Sequence, residues 1–335
     1  MRLAPLVLSV GDPAGIGPEV AVKAALGEPS RAGVVLMGDG ADLLRRLGEG
    51  HRRLRWDEAW QLDANEVAVF HVDDVSDDVV RAHAPTAAGG RAQLAFLDAA
   101  LKAVLEGRAR GLVTGPTSKQ AIALSGTPFT GQTEHLARSA GLDADAVTMM
   151  FLGPTLRVAL VTTHLSVRDL PDAVTPGRVE RTVTHLIAAL QALNGGADPI
   201  RVAVTGLNPH AGEGGMFGDE ERDVVAPAID TARAHVDHEL ATRLELAGPI
   251  PAEAAFRQAV AGRWDGVVAM MHDQATIASK LVDFGDAVNV TWGLPFVRTS
   301  VDHGVAYDAA RAGTADESGM RAALRMAEKL IGPTT

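Results

Sequence analysis

Short runs of β-branched and other apolar residues alternate with longer Ala- and Leu-rich segments along most of this 335-residue chain. The short runs predict buried strands at residues 6–10, 33–37, 67–71, 111–114, 147–151, 157–163, 200–207, 266–271 and 287–291. Helical patterns lie between them, the clearest at 91–106 and 178–193. Because parallel strands need crossover helices, the alternation predicts an α/β fold with mostly parallel sheets. Two turn-rich stretches, 73–90 and 209–219, are predicted to be surface or site loops.

The composition limits the classes of function that the chain can have. Its length suits about two domains at roughly 100–200 residues each. The absence of Cys excludes disulfides and thiolate sites, so a metal would need His, Asp, Glu or backbone oxygen as ligands. A net charge of −11 without long basic runs argues against a nucleic-acid partner. No apolar stretch approaches the ~20 residues of a membrane span, and the N-terminus lacks a signal-peptide pattern, so we expect a cytoplasmic protein without a membrane partner.

Three histidines share one sequence context. His164, His210 and His272 each follow a predicted buried strand within a few residues. Open α/β sheets collect their ligands at the carboxyl ends of the strands, so the three imidazoles could form a metal site with open positions for substrate. The alternative is that each imidazole bonds a backbone group at its strand end, which explains one histidine more readily than all three.

The opening loop at 11–19 follows a strand and begins a helix, with Pro18 near the helix start. A dinucleotide fingerprint would need Gly at position 20, where Val20 stands, so the Rossmann motif fails. The loop could be a tight strand-to-helix turn, or its backbone amides could receive an anion or a carbonyl.

Seven motifs follow one another over nearly the whole chain: GDPAGIGPE at 11–19, VTGPTSK at 113–119, TGQTE at 130–134, DLPDA at 169–173, NPHAGEGG at 208–215, MHDQ at 271–274 and GLPFVRTSVDHG at 293–304. In this order they resemble the motifs of the 4-hydroxythreonine-4-phosphate dehydrogenase family, also called PdxA. The resemblance implies a two-domain α/β/α fold like that of isocitrate and isopropylmalate dehydrogenases. It places a first, cofactor-side domain at 1–126 plus 296–335 and a second domain, for metal, substrate and dimer contacts, at 127–295.

The resemblance also implies roles for individual residues. The family's metal ligands correspond to His164, His210 and His272, with the third ligand coming from the second subunit of a homodimer. Its substrate-binding positions correspond to Gln132, Thr133, Lys280, Asn289 and Arg298. A loop near the cofactor's adenosine corresponds to His303, Gly304 and Asp308. Ionised donors such as Lys and Arg suit a phosphate and a carboxylate.

The activity that the resemblance implies is NAD- or NADP-linked oxidation of 4-hydroxythreonine 4-phosphate, with decarboxylation to 3-amino-2-oxopropyl phosphate, in pyridoxal 5'-phosphate biosynthesis. A divalent ion, which could be zinc, cobalt, magnesium or manganese, would lower the pKa of the substrate alcohol. Lys119, Asp273 and Lys280 are the candidate general bases, and the sequence does not choose among them. It also leaves NAD and NADP open.

Departures from the family pattern keep other substrates open. Gln132 stands where the family usually has His, and an amide cannot become a cation. The loop 275–279 differs from the family pattern, as does the segment 309–313. The nearest alternatives are paralogues that oxidise threonate or erythronate 4-phosphate, or a dihydrodiol dicarboxylate. A non-redox protein on the same scaffold, either an acyltransferase or a binding protein, is the alternative from a different class.

Overall fold

The computed structural model describes residues 3–196 and 199–332, and these residues form two compact units. Unit 1 comprises the chain up to Ala144 and again from Leu294, and unit 2 comprises Asp145–Gly293. Residues 127–144, which the resemblance assigned to the second domain, therefore pack in unit 1. The reason is visible in Leu136, which is buried in the same apolar cluster as Val7 and Leu112. The outermost residues of the predicted first domain, 1–2 and 333–335, lie outside the described residues.

Strands are numbered in chain order over both units. They are β1 (Leu6–Ser9), β2 (Val34–Gly38), β3 (Arg52–Leu54), β4 (Val67–His71), β5 (Gly111–Thr114), β6 (Thr148–Leu152), β7 (Arg157–Leu160), β8 (Ile200–Thr205), β9 (Leu244–Ile250), β10 (Gly266–Ala269), β11 (Val288–Trp292) and β12 (Val297–Ser300).

Helices are numbered in the same way. They are α1 (Gly17–Gly27), α2 (Gly40–Leu47), α3 (Asp77–Ala82), α4 (Ala87–Leu105), α5 (Lys119–Leu124), α6 (Gln132–Ser139), α7 (Leu170–Ala173), α8 (Pro176–Asn194), α9 (Ala226–His235), α10 (His238–Ala241), α11 (Ala252–Val260), α12 (His272–Val282), α13 (Tyr307–Ala312) and α14 (Ser318–Ile331). Short helical turns of other types lie at Ala144–Ala146, Pro209–Gly215 and Glu221–Val225.

In unit 1 the strands lie in the order β3-β4-β2-β1-β5-β12, and every neighbouring pair is parallel. Leu6 of β1 lies opposite Val34 on one side and Gly111 on the other, so β1 is central. All four residues of β1 are buried, as expected for a strand covered on both faces. The predicted parallel α/β arrangement is confirmed for this unit.

In unit 2 the strands lie in the order β11-β6-β7-β10-β8-β9. The strands β7, β10, β8 and β9 are parallel, whereas β6 is antiparallel to both β7 and β11. Helix α8 packs on this sheet, and it begins where Thr175 caps the amide of Arg178 and Pro176 occupies the first turn. An apolar cluster that includes Val158, Val267 and Trp264 lies in the core of this unit.

The structure corrects one predicted loop. The stretch 73–90 contains α3 and the start of α4, because Asp77 and Asp78 suit the first turn of a helix and Thr86 caps the amide of Gly89. Helix α4 therefore begins four residues earlier than the apolar pattern at 91–106 predicts. The stretch 209–219 does contain an irregular turn, which is described below with the site.

Candidate functional site

The three histidines singled out by sequence follow neighbouring strands of unit 2. His164 follows β7, His272 follows β10 and His210 follows β8. Strand β10 pairs in parallel with β7 on one side and with β8 on the other. The carboxyl ends of these strands therefore share one edge of the sheet, which is where open α/β sheets bind their ligands.

Two of these histidines lie side by side. The imidazole rings of His164 and His272 have centroids 5.2 Å apart and are tilted by 45°. His164 is exposed, and the side chain of His272 is 33% exposed at the first position of α12. Two accessible imidazoles at this separation fit a divalent ion as ligands, because neutral imidazole nitrogen is a common ligand of zinc and related metals.

His210 lies in a turn of unusual backbone geometry. Its φ is +53°, and its ring centroid lies 6.3 Å from that of Phe217. Among residues 3–196 and 199–332, the ring nitrogens of the three histidines do not all lie within 4.8 Å of one another. This structure of a single chain thus brings together His164 and His272 but does not add His210 to them at that spacing.

In unit 1, Asp39, His71 and Asp74 do have potential ligand atoms within 4.8 Å of one another. Asp39 caps α2 by accepting the amides of Ala41 and Asp42, and it also accepts the amide of Val75. His71 accepts the Gly40 amide at its Nδ1, 3.1 Å away. These hydrogen bonds explain the group as the cap of a helix.

Two predicted substrate residues of unit 1 are hydrogen-bonded to each other. The guanidinium of Arg298 is 2% exposed and donates to Gln132 Oε1 at 2.7 Å and to Thr114 Oγ1 at 2.9 Å. Gln132 in turn donates to the carbonyl of Gly115 and to Thr117 Oγ1, each at 3.0 Å. Burial lowers the pKa of Arg298 to about 10, partly offset by the charge of Glu134. Arg298 remains a cation at neutral pH.

Thr133, the neighbour of Gln132 on α6, is half-buried. Gly131 provides the N-cap of this helix, and Gln132 and Thr133 form its first turn. Their position at a helix N-terminus places polar side chains beside free backbone amides, which is a favourable environment for an anionic group.

The predicted substrate residues of unit 2 lie on α12 and β11. Asn289 is half-buried on β11, and its Oδ1 has no hydrogen-bond partner among the described residues although that atom is buried. A buried acceptor of this kind is costly unless a ligand or water satisfies it. Lys280 is exposed on α12, seven residues after Asp273, so both side chains lie on one face about two turns apart.

The third candidate base, Lys119, belongs to unit 1. It is exposed at the start of α5, which Ser118 caps by accepting the amide of Ala121. Asp273 Oδ2 lies 3.8 Å from His272 Nδ1. Asp273 therefore contacts one of the paired histidines.

The predicted cofactor residues precede or begin α13 in unit 1. His303 Nδ1 lies 3.0 Å from the carbonyl of Gly304, and its Nε2 is buried without a hydrogen-bond partner among the described residues. Gly304 is exposed. Asp308 is exposed in the first turn of α13, whose N-cap is Ala306. Asp308 is therefore not the residue that caps α13.

A buried carboxylate that sequence reasoning did not single out lies in the opening loop. Asp12 is 1% exposed and accepts Tyr307 Oη at 2.7 Å, Gln93 Nε2 at 3.1 Å and the Ala14 amide at 2.9 Å. Burial raises the pKa of Asp12, while the hydrogen bond from Tyr307 lowers it. The sequence signal that could have identified Asp12 is its position as an acidic residue just after a buried strand and Gly11.

The chain is similar to known proteins over nearly its full length. The sequence model of the family described as "Pyridoxal phosphate biosynthetic protein PdxA" matches residues 33–327. The chain belongs to this family. The 4-hydroxythreonine-4-phosphate dehydrogenase of Geobacter metallireducens is 39% identical over 333 residues, covering 97% of this chain and 95% of the relative. That of Acidithiobacillus ferrooxidans is 41% identical over 330 residues, covering 97% and 96%.

Solved structures of PdxA relatives have the same fold. The 4-hydroxythreonine-4-phosphate dehydrogenase of Klebsiella pneumoniae superposes with a TM-score of 0.78 at 32% identity, covering 98% of this chain and 99% of that one. The terephthalate 1,2-cis-dihydrodiol dehydrogenase of Burkholderia xenovorans LB400 gives 0.68 at 30% identity, covering 98% of each chain. Isocitrate dehydrogenase of Methylococcus capsulatus, at 17% identity and a TM-score of 0.51 over 98% of this chain and 86% of that one, shares the fold alone. The predicted relation to the isocitrate dehydrogenase fold is thereby confirmed.

Among the described helices of this PdxA-family chain, none combines the length and the apolar character that crossing a membrane requires.

Proposed function

We propose that this chain oxidises 4-hydroxythreonine 4-phosphate with NAD or NADP and a divalent metal, and that the oxidised product loses CO2 to give 3-amino-2-oxopropyl phosphate. The observation that carries the proposal is the pairing of His164 and His272 at 5.2 Å in a chain of the PdxA family. Relatives at 39% and 41% identity are named for this activity. We also expect the enzyme to act in the cytoplasm.

His164, His210 and His272 would hold the metal. A bound divalent ion would supply Lewis-acid polarisation of the substrate hydroxyl and of the carbonyl oxygen formed from it, and NAD or NADP would accept the hydride. The protein must then take up the hydroxyl proton. Asp273 is the candidate base with a contact to one of these histidines that the structure shows, with Oδ2 at 3.8 Å from His272 Nδ1. Lys280 lies on the same face of α12, and Lys119 remains the candidate base in unit 1.

Arg298, Gln132 and Thr133 would bind the anionic groups of the substrate. The hydrogen bonds of Arg298 to Thr114 and Gln132 fix its guanidinium in a buried position, so little side-chain entropy is lost when an anion binds. Lys280 and Asn289 are the other residues that we propose to bind the substrate, through an ammonium group and an amide. His303, Gly304 and Asp308 would line the cofactor's adenosine.

We further propose that two copies of the chain form a homodimer that shares the metal site. Ile277 and Leu281 lie one turn apart on α12 and are 59% and 81% exposed, and Phe284 just beyond the helix is 82% exposed. Large apolar side chains this exposed, grouped on one helix, are typical of surfaces that another protein covers. A second copy is the partner we propose, because the three histidines do not reach ligand spacing together within one chain.

The test is an absorbance assay for reduced nicotinamide with 4-hydroxythreonine 4-phosphate, NAD or NADP and a panel of divalent ions. We expect metal-dependent turnover in the wild type. His164→Ala and His272→Ala should each lose at least about 100-fold in kcat/KM, because a metal ligand is removed. His238→Ala removes an exposed imidazole of the same unit and should match the wild type.

Two results would contradict the proposal. Turnover of threonate or erythronate 4-phosphate, or of a dihydrodiol dicarboxylate, in place of this substrate would assign the chain to another activity within the PdxA family. Absence of turnover with every hydroxy acid, or turnover that persists in both histidine variants, would reject the metal-dependent dehydrogenase itself.

A further inference from the structure

The turn that carries His210 has a left-handed backbone over five successive residues. The φ angles are +53° at His210, +52° at Ala211, +79° at Gly212, +43° at Glu213 and +67° at Gly214. Glycine adopts this region freely, but His, Ala and Glu are disfavoured there because their Cβ crowds the backbone. A chain with three such residues in one turn needs surrounding contacts that hold it.

Those contacts converge on one buried carboxylate. Glu221 is 5% exposed, and its Oε1 accepts the amide of Asn208 at 2.7 Å while its Oε2 accepts the Asn208 side-chain amide at 3.0 Å. The same side-chain amide also donates to Glu220 Oε2 at 2.7 Å. Because both oxygens of Glu221 bind Asn208, the residue two positions before His210 is fixed in both its backbone and its side chain.

Two glycines make room for this carboxylate. A Cβ on Gly212 would lie 2.7 Å from Glu221 Oε2, and a Cβ on Gly206 would lie 2.9 Å from Oε1. The Glu221 carboxylate thus packs directly against the end of β8 and against the middle of the left-handed turn. Side chains at either glycine would displace it.

The backbone around Glu221 is itself irregular. Glu221 begins a π-helical turn, Glu221–Val225, which continues into α9. Turns of this kind are rare and frequently lie at functional sites. Val225 at the end of the turn is fully buried, so the turn is anchored in unit 2.

We infer that Glu221 is a positioning residue, which holds the 210–214 turn in its left-handed form and so presents the His210 imidazole to the metal. The inference rests on the proposed function for the metal, whereas the effect of Glu221 on the turn does not depend on it. Outer partners that orient metal ligands commonly contribute about 10–100-fold to metal affinity or activity.

The first test compares Glu221→Gln with Asp223→Asn. Both changes replace a carboxylate by an amide in the same helical turn, but Asp223 is exposed and pairs with Arg222 at the surface. In Glu221→Gln one of the two oxygens becomes an NH2 group, which cannot accept a hydrogen bond, so one of the two hydrogen bonds that Asn208 donates to this side chain is lost. We expect zinc titrated against a chromophoric chelator to bind Glu221→Gln about 10–100-fold more weakly, with Asp223→Asn unchanged.

A second readout needs no metal. Ala211 donates its amide to the carbonyl of Asn208, and Phe217 donates its amide to the carbonyl of Gly212, within the turn. Amide hydrogen exchange across 208–217 should be at least about tenfold faster in Glu221→Gln than in the wild type, while exchange in β7 and β10 stays unchanged. Unchanged exchange within the turn would overturn the inference.

A glycine pair provides a second variant set. Gly212 and Gly214 are both left-handed, but a Cβ at Gly214 meets nothing within 4 Å. Gly212→Ala should therefore reproduce the Glu221→Gln defects, and Gly214→Ala should show a clearly smaller effect on both exchange and zinc affinity. Equal effects of the two would mean that backbone strain alone, and not Glu221, controls the turn.

The two proposals fail separately. If His210→Ala binds zinc as tightly as the wild type, the metal site is wrong, and the exchange data still decide whether Glu221 holds the turn. If His210→Ala loses zinc but Glu221→Gln does not, the metal site stands and the role of Glu221 is overturned.

Discussion

His185 is a residue whose protonation is expected to change stability with pH. Its Nδ1 lies 2.9 Å from Thr148 Oγ1. Burial, with a smaller effect from the charge of Arg181, lowers the pKa of His185 from 6.5 to about 4. The fold therefore favours the neutral imidazole, so the stabilisation is complete above about pH 6.5 and is lost as the pH falls toward 4. The full loss is about 3 kcal/mol.

His185→Gln keeps a hydrogen-bonding side chain at this position and removes the titration. We expect the unfolding free energy of the wild type to fall by about 2 kcal/mol more than that of the variant between about pH 7 and about pH 4.5, in urea titrations. His238→Gln, a change at an exposed histidine, should follow the wild type. If the unfolding free energies of all three proteins depend on pH in the same way, the fold does not lower the pKa of His185.

At the residue scale the sequence located part of the site. The proximity of His164 and His272 was predictable because each follows a buried strand, and strand ends in a parallel sheet converge, whereas His210 does not reach ligand spacing with them within one chain. The hydrogen bond between Gln132 and Arg298 could not be predicted, because it joins residues 166 positions apart in the sequence. The buried state of Glu221 was also hidden, since it stands in the charged run Asp219 to Asp223, which is typical of a solvated surface.

At the scale of elements, apolar runs located nine of the twelve strands in the described residues and missed the other three. Strands β1, β2, β4 and β5 are apolar apart from a Ser, a Thr and the final His71 of β4, and each was predicted to within one residue at either end. Strands β3, β9 and β12 were missed. β3 begins with two arginines, β9 contains Gly248 and Pro249, and β12 contains the buried Arg298. Their pairing depends on tertiary neighbours, which local patterns do not report.

The start of α13 is tied to the opening loop by Tyr307 and by the Ile16 amide, which donates to the carbonyl of Val305 at 3.0 Å. Tyr307→Phe would leave the buried Asp12 with one donor fewer. We expect a loss of about 1–3 kcal/mol in unfolding free energy, because a hydrogen bond to a buried ionisable group is removed. The measurement is urea denaturation, with Asp308→Asn as a solvent-facing change in the same helical turn. A variant as stable as the wild type would show that Asp12 gains little from Tyr307.

At the scale of the whole molecule, the proposed homodimer predicts how exposed leucines respond to charge. Leu281 of α12 is 81% exposed and Leu124 of α5, in unit 1, is 57% exposed. We expect Leu281→Glu to weaken dimerisation by at least about 100-fold, because two copies of an apolar contact are replaced by buried carboxylates. Activity should fall with the dimer.

Sedimentation velocity over a range of protein concentrations checks this prediction, and Leu124→Glu is its control. That variant should sediment as the wild type does. If Leu281→Glu remains a dimer, α12 does not form the interface. If the wild type is a monomer that is nevertheless active, a shared metal site is ruled out.

Helix α12 exposes Asp273 and Lys280 on the same side as Ile277 and Leu281, while Ala275, Thr276 and Ser279 are buried. Asp273 and Lys280 are proposed to act on the substrate, and Ile277 and Leu281 are proposed to contact the second copy. Few positions of α12 could therefore change without loss of activity or of the dimer. A substitution in α12 that changes the substrate would also be expected to weaken the dimer. We therefore expect substrate preference among related proteins to diversify first at positions outside α12, such as Gln132, where a single change alters one partner of a buried arginine and leaves the helix intact.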